Sequence, residues 1–290
     1  MDNTATTFLA ISLIIIMTGM GLSLTLADFQ RVLKSPKAVL IGFLNQIVLL
    51  PLLAFALIQF FKVDATLAMG VLILSACPGG PTSNLLSHLA KADTALSVTL
   101  TAVNSVVTII TLPLIVNFGL QEFFPDSAEI SAPIGSIIGS LVAVIAVPLT
   151  IGMLINHYRK EVAAKMDRPV RMASVAILVI IIVGLVLKEK ETILQHVADS
   201  IVIILSLNVL TMLVGFLSAK LSGLSFKQAL TITLESGNQN GTLAITVAVG
   251  SLGQVDFAIA GAVYSLIMYF TAAFPIWVGI RADKKLNHLE

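Results

Sequence analysis

The chain has 290 residues, 57% hydrophobic and only 11% charged, with a net charge of +1 and a mean hydropathy of +1.00. Soluble domains carry about 25% charged residues, so this composition excludes a soluble globular protein, and the near-neutral charge argues against a nucleic-acid partner. The single cysteine, Cys77, excludes an intramolecular disulfide, and no Cys/His spacing fits a zinc site.

Apolar stretches long enough for a ~30 Å hydrocarbon core recur along the whole sequence. They predict an all-α polytopic membrane protein, one domain over 1–290, with nine transmembrane helices at 5–26, 38–61, 65–89, 94–118, 133–155, 170–187, 193–217, 226–252 and 256–280. The first segment follows Asp2 rather than a basic stretch, so it reads as a span and not as a cleaved signal peptide. In the second, "FLNQIVLLP", Gln46 beside Asn45 reads as an interhelical hydrogen bond.

The third segment, "LAMGVLILSACPGGPTSNLLSHLA", is not a continuous helix. Pro78 and Pro81 lack an N–H and clash with the preceding turn, Gly79 and Gly80 are conformationally permissive, and Ser83 and Asn84 follow directly. The fourth segment carries Thr94, Ser97, Thr101, Asn104 and Thr108 at steps of 3, 4, 3 and 4, one polar stripe on a helix. Packing between helices explains Asn104 and Thr108; Ser97 and Thr101 should lie nearest the Ser83–Asn84 break. Asn208 in the seventh segment again reads as interhelical glue. The eighth, "TLESGNQNGTLAITVAVG", is interrupted around Ser236–Asn240 without any proline.

Charge fixes the direction of threading. With the N-terminus outside, 14 of the 17 Lys and Arg residues fall in inside segments, among them Arg31, Lys91, Arg159, Lys220 and Arg281. Only Lys62, Lys188 and Lys190 fall outside, and the outside loop Gly119–Ala132 carries Glu122, Asp126 and Glu129 with no base. Basic residues accumulate on the cytoplasmic side. The reading is an integral protein of a cell (inner) membrane, N-terminus out and C-terminus in.

The two broken segments lie five crossings apart and therefore cross in opposite directions. Segments 1–4 then match segments 6–9 as an inverted repeat, about 1–118 and about 133–280. Paired interruptions in inverted halves point to a transporter binding site; the plainer alternative is a kink in a packing helix. Glu235 is the one acidic residue well within a span, where an ionised group costs ~2.5–3.5 kcal/mol or more. No Lys, Arg or His is placed mid-span to pair with it, which leaves a proton carrier or a cation ligand. Asn238, Gln239, Asn240 and an unwound backbone supply oxygen, favouring a hard cation. The half-helices beginning near Thr82–Asn84 and Asn240–Gly241 would turn partial positive charge toward an anionic substrate.

At "GMGLSLTLADFQRVLKSPKA", "SACPGGPTSNLLSHLAKADTALSVT" and "ESGNQN" the sequence resembles the bile acid:sodium symporter family, in its nine-span form. The resemblance implies a panel and a core domain, with the two broken helices crossing in the core. It also implies two sodium ions. The first would use Ser83, Asn84, Ser97, Thr101 and Glu235; the second would use Gln46, Glu235, Gln239 and carbonyls near Ser236 and Asn238. Asn240 and Thr82 would face the substrate. The expected function is sodium-coupled import of an organic anion, a bile acid or smaller carboxylate, by alternating access. Its alternatives are a proton-coupled carrier in which Glu235 titrates, or a channel. An enzyme is not expected: there is no HExxH, no paired aspartates and no GxSxG.

Overall fold

The computed structural model describes residues 3–125, 134–188 and 190–287. Asp2, Asp126 and Glu129 lie outside the described residues. Helix α1 (Asn3–Ser23) is followed by α2 (Leu26–Lys34), bent from it by 62°. The sequence reading missed α2. It begins where the Asp28 carboxylate accepts from both the N–H and the hydroxyl of Thr25, at 2.7 Å each. Arg31 and Lys34 occupy its last turn, where cations suit the helix dipole.

Helix α3 (Pro36–Phe61) contains a π-helical turn at Asn45–Leu49. Helix α4 (Ala65–Ala76) is capped by Asp64, whose carboxylate accepts from the N–H groups of Thr66 and Leu67 at 3.0 Å. It is followed by α5 (Pro81–Leu89) and α6 (Thr94–Phe123), the latter started by Asp93 accepting from Leu96 N–H at 3.0 Å. Helix α7 covers 134–158, with a π turn at Val142–Ala146. Then come α8 (Lys160–Lys188), α9 (Lys190–Leu221), α10 (Phe226–Gly237), α11 (Gly241–Ser251) and α12 (Ala258–Asn287).

Several helices outrun the predicted segments. α8 begins ten residues before the expected 170 and takes in Lys160, Glu161 and Lys165, because hydropathy marks the lipid-buried part of a helix and not its solvated ends.

Among the described residues, Pro36–Phe61, Thr94–Phe123, Ile137–Tyr158, Ser200–Leu221 and Ala258–Lys285 are long and apolar enough to cross a membrane, and the bent pair α1–α2 makes a sixth span if taken together. The chain is an all-helical polytopic membrane protein. Its outer surface agrees: Leu52, Ile110, Phe270 and Phe274 are at least 60% exposed, a face that lipid rather than water accommodates. Arg281 stacks on Trp277 with the guanidinium 4.0 Å from the ring centroid; such pairs anchor helix ends at the headgroup level.

α4 and α10 are 12 residues each, about 18 Å by helical rise, well short of a ~30 Å core. Every residue from Leu67 to Ala76 is buried, and so is every residue from Ala229 to Val249. These short helices therefore form the centre of the molecule, wrapped by the long ones.

Candidate functional site

The two central breaks satisfy each other. α4 ends at Ala76 and α5 restarts at Pro81, in the first helical turn where the missing proline N–H costs nothing. Pro81 thus opens the second half-helix, next to the start expected near Thr82–Asn84. α10 ends at Gly237, and α11 opens with Asn240 Oδ1 accepting from Leu243 N–H at 3.0 Å. The extended pieces cross as an antiparallel bridge between Gly79 and Gln239, and Asn240 N–H donates to the Pro78 carbonyl at 2.9 Å. Buried backbone must find partners; here each unwound strand is the other's partner. The Gly237 carbonyl at the end of α10 accepts from Asn208 Nδ2 at 2.7 Å and from the Tyr264 hydroxyl at 3.1 Å. Asn208 is interhelical glue as expected, but glue applied to the break itself.

Glu235 sits in the last turn of α10, 3% exposed. Ser83 donates to its Oε1 at 2.7 Å, Ser97 donates to the same oxygen, and the Thr101 hydroxyl lies 3.2 and 3.1 Å from its two oxygens. Asn84 Oδ1 lies 2.8 Å from the Ser97 hydroxyl and 3.3 Å from that of Thr101. One carboxylate, one amide and three hydroxyls from α5, α6 and α10 therefore converge. No salt bridge reaches Glu235 among the described residues. A Cβ on Gly79 would stand 2.6 Å from Glu235 Oε2, so the break approaches the carboxylate as closely as only glycine permits.

A second polar cluster lies beside the first. Gln46, on the π turn of α3, donates from Nε2 to the Cys77 carbonyl at 2.8 Å and to Gln239 Oε1 at 2.6 Å. Gln239 Nε2 donates to the Ser236 carbonyl at 2.9 Å. Asn238 Nδ2 donates to Leu234 O at 2.7 Å, and its Oδ1 has no partner among the described residues. No hydrogen bond among these residues joins the Glu235 carboxylate to Gln46 or Gln239; the two clusters are linked through the α10 backbone. The donor set is oxygen throughout, with a single formal charge, and no cluster of three His, Cys, Asp or Glu occurs among the described residues. This chemistry suits a hard, weakly charged cation and not zinc or copper.

A cavity of about 380 Å³ adjoins both clusters. Gly80, Thr82, Asn84, Gln239 and Asn240 form its polar end, so both expected substrate contacts face it. Asn240 Nδ2 is buried and unpartnered among the described residues, a donor available to a ligand. Ile16, Met20 and Val98 supply an apolar wall. Ser23, His88, Thr94 and Tyr269 also line it. The sequence reading placed Thr94 on the polar stripe of the fourth segment but did not name Ser23, His88 or Tyr269, nor Tyr264. An isolated hydroxyl or imidazole in an apolar segment carries no periodicity that marks it as cavity-lining.

The family model described as the Sodium Bile acid symporter family matches residues 10–196. An uncharacterized sodium-dependent transporter of Bacillus subtilis (strain 168) is 30% identical over 259 residues, 89% of this chain and 78% of that protein. The ileal sodium/bile acid cotransporter of Homo sapiens is 32% identical over 244 residues, 83% of this chain and 68% of its own. A probable chloroplastic sodium/metabolite cotransporter of Arabidopsis thaliana is 29% identical over 259 residues; the chain spans 62% of that protein's length.

Proposed function

The chain belongs to the sodium bile acid symporter family, a family of transporters rather than enzymes, and from that premise we propose that it imports an organic anion, a bile acid or smaller carboxylate, driven by sodium. The carrying observation is the Glu235 carboxylate, buried without a cationic partner among the described residues and gathered by Ser83, Ser97 and Thr101 where the two breaks cross. A monovalent cation there offsets a charge that the membrane interior disfavours.

In this reading one sodium is held by Ser83, Asn84, Ser97, Thr101 and Glu235. A second is held by Gln46, Gln239 and Glu235 with the carbonyls of Ser236 and Asn238. Asn240 Nδ2 and the Thr82 hydroxyl take the substrate anion, assisted by the N-terminal N–H groups of α5 and α11. Two sodium ions with a monoanion would move net positive charge inward, so the membrane potential would contribute ~2.3 kcal/mol per charge per 100 mV.

The architecture behind this is a single domain of nine spans with the N-terminus outside. α4–α5 and α10–α11 each count as one broken span, in an inverted repeat of about 1–118 and 133–280. Alternating access follows from one bundle rocking against the other around the crossing. The cavity reaches Ser23, His88 and Thr94, beside the lysine-rich inside segments, while on the opposite side of the crossing Leu67–Ala76 of α4 and residues 243–249 of α11 are buried. That asymmetry supports an inward-open conformation. The test is uptake into vesicles at fixed pH with sodium exchanged for choline. Uptake should fall to background, and undiminished uptake would overturn sodium coupling in favour of protons.

A further inference from the structure

We propose that Asn104 and Thr108 form a sodium relay on the outer side of the carboxylate cluster, a polar stop through which the ion reaches Thr101 when that side opens. This rests on the sodium-coupled, N-terminus-outside reading above. Asn104 and Thr108 are 1% and 0% exposed. Neither side-chain atom of the Asn104 amide has a hydrogen-bond partner among the described residues, and neither does the Thr108 hydroxyl. Their neighbours on α6 differ. Ser105 donates to the Thr101 carbonyl at 2.7 Å, and the Thr99 hydroxyl lies 2.9 Å from the Ala95 carbonyl and 3.0 Å from that of Asp28, so those hydroxyls are satisfied by backbone. Buried polar groups are ordinarily satisfied. Unmet capacity on α6 is thus concentrated in these two residues, on the face that Thr101 presents to Glu235.

Their position gives that capacity a direction. Asn104 and Thr108 lie about 4.5 and 10.5 Å beyond Thr101 along the helix, toward the outer end. Gly119 is five turns from Thr101 on the same face, where a Cβ would stand 2.7 Å from Leu72 Cδ2 and 2.8 Å from Met69 Sδ. With Leu112 and Val116, both 0% exposed, it closes the outer end with an apolar plug. On the inner side, Asn84 connects the same carboxylate cluster to the cavity. The cluster therefore has an open inner approach and, opposite it, a polar step without partners among the described residues beneath a closed plug. An amide and a hydroxyl are neutral oxygen ligands. They attract a partly hydrated sodium ion but yield it to the charged Glu235, as a conducting step requires.

Sidedness tests this. Asn104→Leu and Thr108→Val, with Asn104→Ser as the variant least disturbing to packing, are made in the full chain and compared in right-side-out and inside-out membrane vesicles and in detergent. The sodium concentration giving half-maximal uptake from the outer side should rise about fivefold or more, the scale of one lost polar contact. The value for transport driven from the inner side, and the sodium-induced thermal stabilisation in detergent, should stay near wild type. An unchanged outer requirement, as for a fixed water or simple packing, would overturn the relay. So would an equal rise on both sides. A wild type that ignores sodium in every arm would instead overturn the transport mechanism, and the relay with it.

Discussion

Replacing Glu235 with glutamine removes one charge and little else. The side chain is 3% exposed, so solvent does not screen it. Attraction between a carboxylate and a cation ~4 Å away is ~4 kcal/mol at an effective dielectric of ~20. Glutamine keeps one oxygen in place, so the expected net loss is ~2–4 kcal/mol, or ~30- to 1,000-fold in sodium affinity. At sodium about tenfold above its dissociation constant, one bound ion stabilises the wild type by ~1.4 kcal/mol, a rise of roughly 2–3 °C for a chain of this size. Glu235→Gln should lose that rise. Its ion-free melting temperature should hold or increase, because the ~2.5–3.5 kcal/mol penalty of an ionised group in the membrane disappears. The assay is thermal unfolding in detergent with sodium titrated against choline at constant ionic strength. A variant that keeps the full sodium-dependent rise would remove Glu235 from the ion site and leave the hydroxyl cluster without a function.

Three further substitutions separate the parts. Thr101→Val preserves shape but removes a hydroxyl 3.1 Å from Glu235 Oε2; half-saturating sodium should rise ~3- to 10-fold in the same titration, about the value of one hydrogen bond. Gly79→Ala puts a methyl group 2.6 Å from that oxygen, so sodium-dependent stabilisation and uptake should both be lost while circular dichroism still reports a helical protein. Asn240→Ser retains a side chain able to cap α11 but loses the unpartnered Nδ2. The substrate KM should rise ~5- to 10-fold with sodium stabilisation intact; loss of the sodium response instead would assign Asn240 to the ion.

The local parts of this arrangement were legible in the sequence, and their partners were not. Proline and glycine mark where a helix cannot continue, so the gap after Ala76 could be read directly. The step of four between Ser97 and Thr101 put both on one face. A lone carboxylate in an apolar segment drew attention to Glu235. Periodicity names a face but not what lies opposite it. That explains why Gln46 read from the residues alone as ordinary packing and entered an ion site only through the family resemblance: its partner Gln239 is 193 positions away. Tyr264, which helps hold the last carbonyl of α10, is one aromatic among many in an apolar run. Helix α2 was hidden for a different reason: its charged, exposed turns look like a loop on any hydropathy scale, and only the Thr25–Asp28 cap betrays it.

The geometry also shows how an ion and an anion can depend on each other without touching. Asn84 and Gln239 each belong to a polar cluster and to the cavity wall. Asn240, the proposed substrate contact, follows Gln239 directly and is tied to the opposite break through the Pro78 carbonyl at 2.9 Å. An ion that fixes the Asn84 and Gln239 side chains therefore fixes one wall of the cavity and the donors that point into it. An empty ion site frees that wall, and the ordering cost falls on the substrate when it binds. The coupling is reciprocal by necessity: whatever factor sodium contributes to substrate affinity, substrate returns to sodium. Two short helices whose unwound ends pair with each other are suited to this. The breaks are tied by the Gly79–Gln239 bridge, so in the proposed mechanism an ion at Glu235 would be felt at Asn240 through a few bonds of shared backbone.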